Sequence, residues 1–230
     1  MIDRSEWTTV FERFPTGRVP ITRSVGIYLH DWSQPVDGHP RLFDHDGFEL
    51  LTTARPGLVA TVYTIAAAAM LWDSVRVGLA ASTIGVLALG GLAAWTLTEY
   101  LLHRYAFHFV PRTRLGVAMA YLSHGVHHAY PRDPDRLVMP LIVSAPVAIL
   151  LFLIGRLVAG PLSSPFLSGF AAGYLAYDLI HYHLHQRESA GEVGVFKWLR
   201  RYHLQHHFAV PDRQFGVSTP VWDCVFRTGR

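Results

Sequence analysis

Two long apolar blocks divide the chain. The first runs PGLVATVYTIAAAAMLW, then DSVR, then VGLAASTIGVLALGGLAAWTL, and predicts two helices, Pro56–Trp72 and Val77–Leu97, joined by a tight polar turn. The second runs LVMPLIVSAPVAILLFLIGRLV, then AGPLSSP, then FLSGFAAGYLAYDLI, and predicts a second hairpin of helices, Leu137–Val158 and Phe166–Ile180. A helix that is apolar all round is either buried or faces lipid, and a span takes roughly 20 residues, about 17–25. The second and third helices meet that length, and the first and fourth are at its short end. Buried core helices would need a polar layer to cover them, and with 16% charged residues the chain has little to build one from. The expectation is an all-α integral membrane protein: four transmembrane helices in two hairpins. Residues 1–55 form an N-terminal cytosolic or interfacial segment, and residues 56–230 the membrane domain. Pro140 and Pro146 fall inside the third helix, where a kink is tolerable if neighbours satisfy the freed carbonyls. Trp7, Val10, Phe11 and Phe14 make an i, i+3, i+4, i+7 stripe, which fits a short helix lying in the membrane interface or an ordinary packed one.

Charge orients these helices. Of 20 Lys and Arg residues, only Arg76 and Arg156 fall by the two hairpin turns. All the others lie on the opposite side of a four-span arrangement, which the positive-inside rule makes the cytoplasm; in a bacterium this is the inner membrane. That explains a pI near 9.2 without nucleic acid, and no run of Lys and Arg interleaved with aromatics occurs. The N-terminus lacks the apolar core of a secretory signal. Cys224 is the one cysteine, so neither a disulfide framework nor a thiolate-held cluster is available.

The cytoplasmic side also carries the histidines. YLSHGVHHAYPRD and RYHLQHHFAVPDR each contain H-x-x-H-H: His124, His127 and His128, then His203, His206 and His207. Positions i, i+3 and i+4 share a helix face, so each trio can converge. His181 and His185, four apart in DLIHYHLHQ, can do the same. His183 points about 200° away from His181 and stays outside the site. His103 and His108 are five apart, a spacing suited to a loosening helix end. His30, His39 and His45 are scattered through a Pro-, Asp- and Gly-rich loop and read as solvated. Neutral imidazole binds first-row metals including Fe, Zn, Cu and Ni. Ten histidines (103, 108, 124, 127, 128, 181, 185, 203, 206, 207) exceed the needs of one ion and suit two, so each box is expected to be half of a multi-helix cage for a dinuclear site. Glu99 and Asp178 precede His103 and His181 by four and three residues. Each could orient an imidazole by accepting its other N–H, or be a charged residue at the membrane interface.

The order of these motifs resembles the fatty acid hydroxylase superfamily, and more narrowly the fatty acid 2-hydroxylases that act on sphingolipid acyl chains. The matching stretches are Glu99–His108, His124–Val138, Tyr177–His185 and His203–Asp223, within a resemblance that covers about residues 40–228. It implies four spans and a cytosolic cap holding two metal ions by the same ten histidines. Iron is implied for activity, and zinc is a possible occupant of purified protein because histidine sites favour it over ferrous iron. The reaction implied is hydroxylation of carbon 2 of an acyl chain, free or in a sphingolipid or other acyl lipid. It consumes dioxygen and two electrons and proceeds by hydrogen abstraction and hydroxyl rebound at the di-iron centre. Relatives often carry a fused b-type cytochrome domain. About 55 residues before the first span leave no room for one, so electrons are expected from a separate carrier, a ferredoxin or a b-type cytochrome with its reductase. Carotenoid, sterol or ether-lipid oxidation is the alternative within the superfamily. A metal carrier would place ligands near the bilayer midplane, whereas no histidine here lies within an apolar run.

Overall fold

The computed structural model describes Val10 and residues 16–20, 25–186 and 193–229. Of the N-terminal stripe, Trp7, Phe11 and Phe14 lie outside the described residues, while Val10 is buried. The elements are a hairpin of β1 (Gly17–Pro20) and β2 (Gly26–Leu29), then α1 (Asp46–Leu51), α2 (Pro56–Arg76), α3 (Ala81–Leu101), α4 (Arg114–Ala120), α5 (Leu141–Ala159), α6 (Ser163–Gln186), α7 (Gly194–Phe208) and α8 (Val221–Val225). The expected all-α class is therefore corrected by one antiparallel ribbon, in which Gly17 faces Leu29 and Pro20 faces Gly26. Ile27 and Leu29 alternate inward and pack with Leu42 and Phe43 against Val117, Tyr121 and Val126. Four-residue strands are too short for a period of two to register in the sequence.

Three helical stretches are long and apolar enough to cross a membrane: Pro56–Arg76, Ala81–Phe107 and Pro134–Gln186. The third contains both α5 and α6, separated by a 3-10 turn at Gly160–Leu162. Their outward faces are apolar, with Leu150, Leu153 and Val158 exposed and Leu157 86% exposed. Soluble monomers rarely expose contiguous apolar patches beyond a few hundred Å². The helix bounds differ from the expectation for local reasons. Asp73–Arg76 is the last turn of α2, and the reversal comes at Gly78, with φ +79°. Pro140 is not inside α5 but caps it, leaving Pro146 as the one interior proline of that helix. At the other end, α6 continues through the histidines to Gln186 because nothing in HYHLHQ breaks it.

Consecutive helices are not the main partners. α6 is central, with α3 and α2 packed along it, while α2 and α3 touch each other little. Small residues explain the closest approach. A Cβ at Gly169 of α6 would sit 1.9 Å from the Ala88 carbonyl oxygen of α3, and one at Gly91 would sit 1.9 Å from that of Phe166. Gly169 and Gly173 form the small-xxx-small face that lets lipid-facing helices meet backbone to backbone. Trp95 then wedges against Gly173, Tyr174 and Phe170. At the far end of the bundle, Arg156 and Arg76 both pair with Asp73, at 3.1 and 3.7 Å.

Candidate metal centre

Two helices widen where they reach the histidines. α3 continues as a π-helical turn, Leu102–Phe107, and α4 continues through another, Tyr121–Gly125, into the α-helical turn Val126–Ala129. In an α-helix His103 and His108 would stand about 140° apart. Here the His108 amide donates to the His103 carbonyl at 3.2 Å, an i→i+5 closure that brings residues five apart into register.

The structure brings all ten sequence-chosen histidines together, buried, in two groups. His103, His108, His124, His128 and His206 form the first; His127, His181, His185, His203 and His207 form the second. Within each, one donor atom from every residue lies within 4.8 Å of the others. The groups share a wall, where the His128 and His207 rings stack at 4.1 Å. Each H-x-x-H-H is split between them. Residues i and i+4 (His124 with His128, His203 with His207) go to one group, and i+3 (His127, His206) goes to the other. Positions i+3 and i+4 diverge by about 100°, so one helix turn serves both groups. His183 points away and meets Phe196 of α7. His30 and His45 lie outside both groups. His39 bonds Asp133 at 2.9 Å, and Asp133 also holds Arg136, which reaches Glu49.

The chemistry of these rings fits cations. Nε2 atoms meet at 2.9 Å (His181–His127), 2.9 Å (His127–His207), 3.1 Å (His207–His203) and 2.8 Å (His203–His185). The first group has contacts of 3.1 Å (His103–His124), 3.0 Å (His124–His128) and 3.0 Å (His108–His206). A neutral imidazole Nε2 carries one hydrogen or one lone pair, so it joins one such bond only. The four-contact chain can therefore hold two hydrogen bonds at most. A cation facing every lone pair removes the conflict: ligands at about 2.1 Å and right angles stand about 3.0 Å apart. Burial also keeps the imidazoles in their ligating form. It lowers the pKa of His128 and His206 to about 3, and that of His108, His124, His127, His203 and His207 well below the ordinary value, with neighbouring imidazoles adding to the effect.

The partners that orient these rings differ from the carboxylates expected. The Nδ1 of His103 lies 2.5 Å from the Phe215 carbonyl, that of His206 lies 2.6 Å from Arg213 O, and that of His181 lies 2.9 Å from Leu137 O. Glu99 holds the loop instead, accepting from the amides of Val217 (2.7 Å) and Ser218 (2.8 Å) and from the Ser218 hydroxyl. Asp178 faces Tyr174 and the Met139 amide. One helix turn separates each carboxylate from its histidine but aims it at another neighbour. Asp223, fully buried, accepts from the amides of Phe215 (3.0 Å) and Gly216 (2.8 Å) and from the Thr228 hydroxyl (2.7 Å). A Cβ on Gly216 would lie 2.1 Å from Thr219 O, so glycine is required there. FGVSTPVWD was the sequence signal for this loop, though nothing in it revealed which groups would face the histidines.

Beside the histidines lies a cavity of about 360 Å³, whose wall includes His124, His127, His181, Leu137, Tyr177 and Phe107. It touches both groups. Tyr177 stacks on His181 at 5.8 Å and 6°.

Residues 88–228 match the model of the fatty acid hydroxylase family. A dihydroceramide fatty acyl 2-hydroxylase of Arabidopsis thaliana is 36% identical over 202 residues, 87% of this chain and 84% of the relative. A ceramide very long chain fatty acid hydroxylase of Saccharomyces cerevisiae is 38% identical over 148 residues, 60% of this chain and 36% of its own. The solved structure of full-length scs7p, in which only the hydroxylase domain is visible, superposes with a TM-score of 0.69 at 32% identity, covering 79% of this chain and 69% of that one.

Proposed function

The chain belongs to the fatty acid hydroxylase family, and from that premise we propose that it hydroxylates carbon 2 of a lipid acyl chain at a centre of two metal ions. The observation that carries this reading is the pair of five-imidazole groups flanking a largely apolar cavity. His103, His108, His124, His128 and His206 hold one ion, and His127, His181, His185, His203 and His207 the other. Bound iron supplies dioxygen activation, with two electrons delivered by a separate carrier such as a ferredoxin or a b-type cytochrome with its reductase. The protein supplies the rest. Carbonyls of Leu137, Arg213 and Phe215 accept Nδ1–H and so keep the Nε2 lone pairs of His181, His206 and His103 pointing inward. Leu137, Phe107 and Tyr177 hold the acyl chain against His124, His127 and His181 and exclude water, so that one C–H bond is presented repeatedly in one pose.

The protein is a membrane protein, and its topology follows in the same reading. α2, α3, α5 and α6 each cross the bilayer, with residues 1–55, the histidine cap and both chain ends in the cytoplasm. In support, only two basic side chains stand at the opposite end, Arg76 and Arg156, and both pair with the single carboxylate of Asp73, which offsets one of the two charges. Lipid mass spectrometry of cells with and without the protein tests the activity: acyl species heavier by one oxygen, with fragmentation placing it at carbon 2, are expected. Their absence from cells holding folded, iron-loaded protein would refute the reading. An impermeant maleimide applied outside intact cells tests the topology. It is expected to label Val77→Cys and to leave the native, exposed Cys224 untouched; the reverse pattern would overturn it.

A further inference from the structure

A second cavity, of about 280 Å³, opens between α2, α3, α5 and α6. It shares three lining residues, Phe107, Met139 and Val143, with the histidine-lined cavity, so the two are neighbouring rooms that adjoin at those side chains. The second room is walled mainly by apolar and aromatic side chains, Trp95, Val147 and Phe170 among them, and its far end is formed by Met70, Leu151 and Leu167. Those three stand on different helices, Met70 and Leu167 within about two turns of the bundle end away from the histidines and Leu151 nearer the middle of α5.

Resting on the proposed acyl hydroxylation, we propose that this room is a length gauge for the acyl tail, with Met70, Leu151 and Leu167 as its stop. The distance follows from α6, which lines both rooms from Leu167 to His181. Those fourteen steps along the helix span about 21 Å at 1.5 Å each. An extended chain advances about 1.2 Å per bond, a third of the residue repeat of an extended backbone, so the route accommodates about 17 bonds. With carbon 2 held beside the histidines, about 17 further bonds end at carbon 19, so the favoured tail is roughly 19 carbons long. Ala171, one turn nearer the site and also lining the room, offers a place to raise the floor. A phenylalanine there blocks the route about five bonds sooner.

The test is a competition among acyl lipids that share one headgroup and form a graded length series, supplied to the full-length, metal-loaded protein in detergent or bilayer. Ala171→Phe is expected to shift the 2-hydroxylated products toward tails about five carbons shorter, changing the short-to-long ratio by about tenfold or more, since even one misplaced methylene in an apolar pocket is worth about tenfold. Leu167→Ala removes part of the stop and is expected to shift products toward longer tails. Opposite shifts in the two variants support the gauge. It is overturned if both retain metal and activity with the wild-type length profile, or if Leu167→Ala alone does so where Ala171→Phe fails to fold. A wild-type protein that hydroxylates no member of the series at carbon 2 would instead refute the function on which the gauge rests.

Discussion

Asp223→Asn isolates the support of the site from the site itself. Asp223 is fully buried, and its two oxygens accept three hydrogen bonds: from Phe215 N, Gly216 N and the Thr228 hydroxyl. Asparagine has the same shape but one acceptor oxygen, so its NH₂ must face at least one backbone N–H, leaving that buried amide without an acceptor at a cost of about 1–3 kcal/mol. The amide that loses its acceptor is that of Phe215 or Gly216, and both flank the Phe215 carbonyl that orients His103. Losing such a partner typically costs about 10–100-fold in metal affinity, or about 1.4–2.8 kcal/mol. His103 belongs to one five-histidine group only, so the loss should be selective. Protein dialysed against graded chelator and then analysed for metal should fall from two ions per chain toward one at lower chelator for the variant. A melting curve on the same samples reports the structural cost separately. If Asp223→Asn melts earlier yet releases both ions at the wild-type chelator concentration, the 215–223 loop is structural alone and the orienting role assigned to Phe215 O is wrong.

Three further outcomes follow from the same geometry. His181→Ala and His185→Ala should abolish hydroxylation and lower metal content, whereas His183→Ala, whose ring packs on Phe196 of α7 outside both groups, should keep both; equal metal loss in all three would refute the ligand set. Gly169→Ala should lower the melting temperature, because its Cβ meets the Ala88 carbonyl at 1.9 Å and overpacking costs about 1–3 kcal/mol or more, while Gly85→Ala, with nothing within 4 Å, should leave it unchanged or raise it by helix propensity. Metal-free protein should lose stability below about pH 6.5: His128 and His206 titrate near 3 when folded but near 6.5 unfolded, so the unfolded chain binds protons first as pH falls. A melting temperature constant from about pH 7 to about pH 4 would contradict their burial as neutral imidazoles.

The membrane helices and the histidine set were legible because both are written in composition and spacing. Apolar runs of span length and repeats of i, i+3, i+4 hold whatever the tertiary context. What spacing could not convey is the allocation between groups. His124, His127 and His128 read as one face of one helix, and they are, but a face of about 100° is wide enough to serve two centres. The five-residue gap from His103 to His108 signalled a departure from α geometry, and the structure resolves it as a π-helical turn. The β1–β2 ribbon and the central place of α6 were not readable. The first is too short for periodicity, and the second depends on Gly91, Gly169 and Gly173 meeting across the bundle, which no single-chain pattern shows.

Glu99 and Asp178 mark the deeper limit. Each stands a helix turn from a histidine, and a carboxylate at that spacing is the obvious acceptor for an imidazole N–H. The acceptors found are main-chain carbonyls of Leu137, Arg213 and Phe215. A carbonyl belongs to every residue and leaves no mark in the sequence. What does leave a mark is the set of side chains that fix where such a carbonyl points. Glu99 clamps the amides of Val217 and Ser218, Asp223 clamps those of Phe215 and Gly216, and Gly216 lets the loop close against Thr219. The identity-dependent chemistry around His103 therefore lies one step beyond its own hydrogen bond. FGVSTPVWD, with no metal-binding residue type placed against a ring, carries as much of that histidine's orientation as EYLLH does.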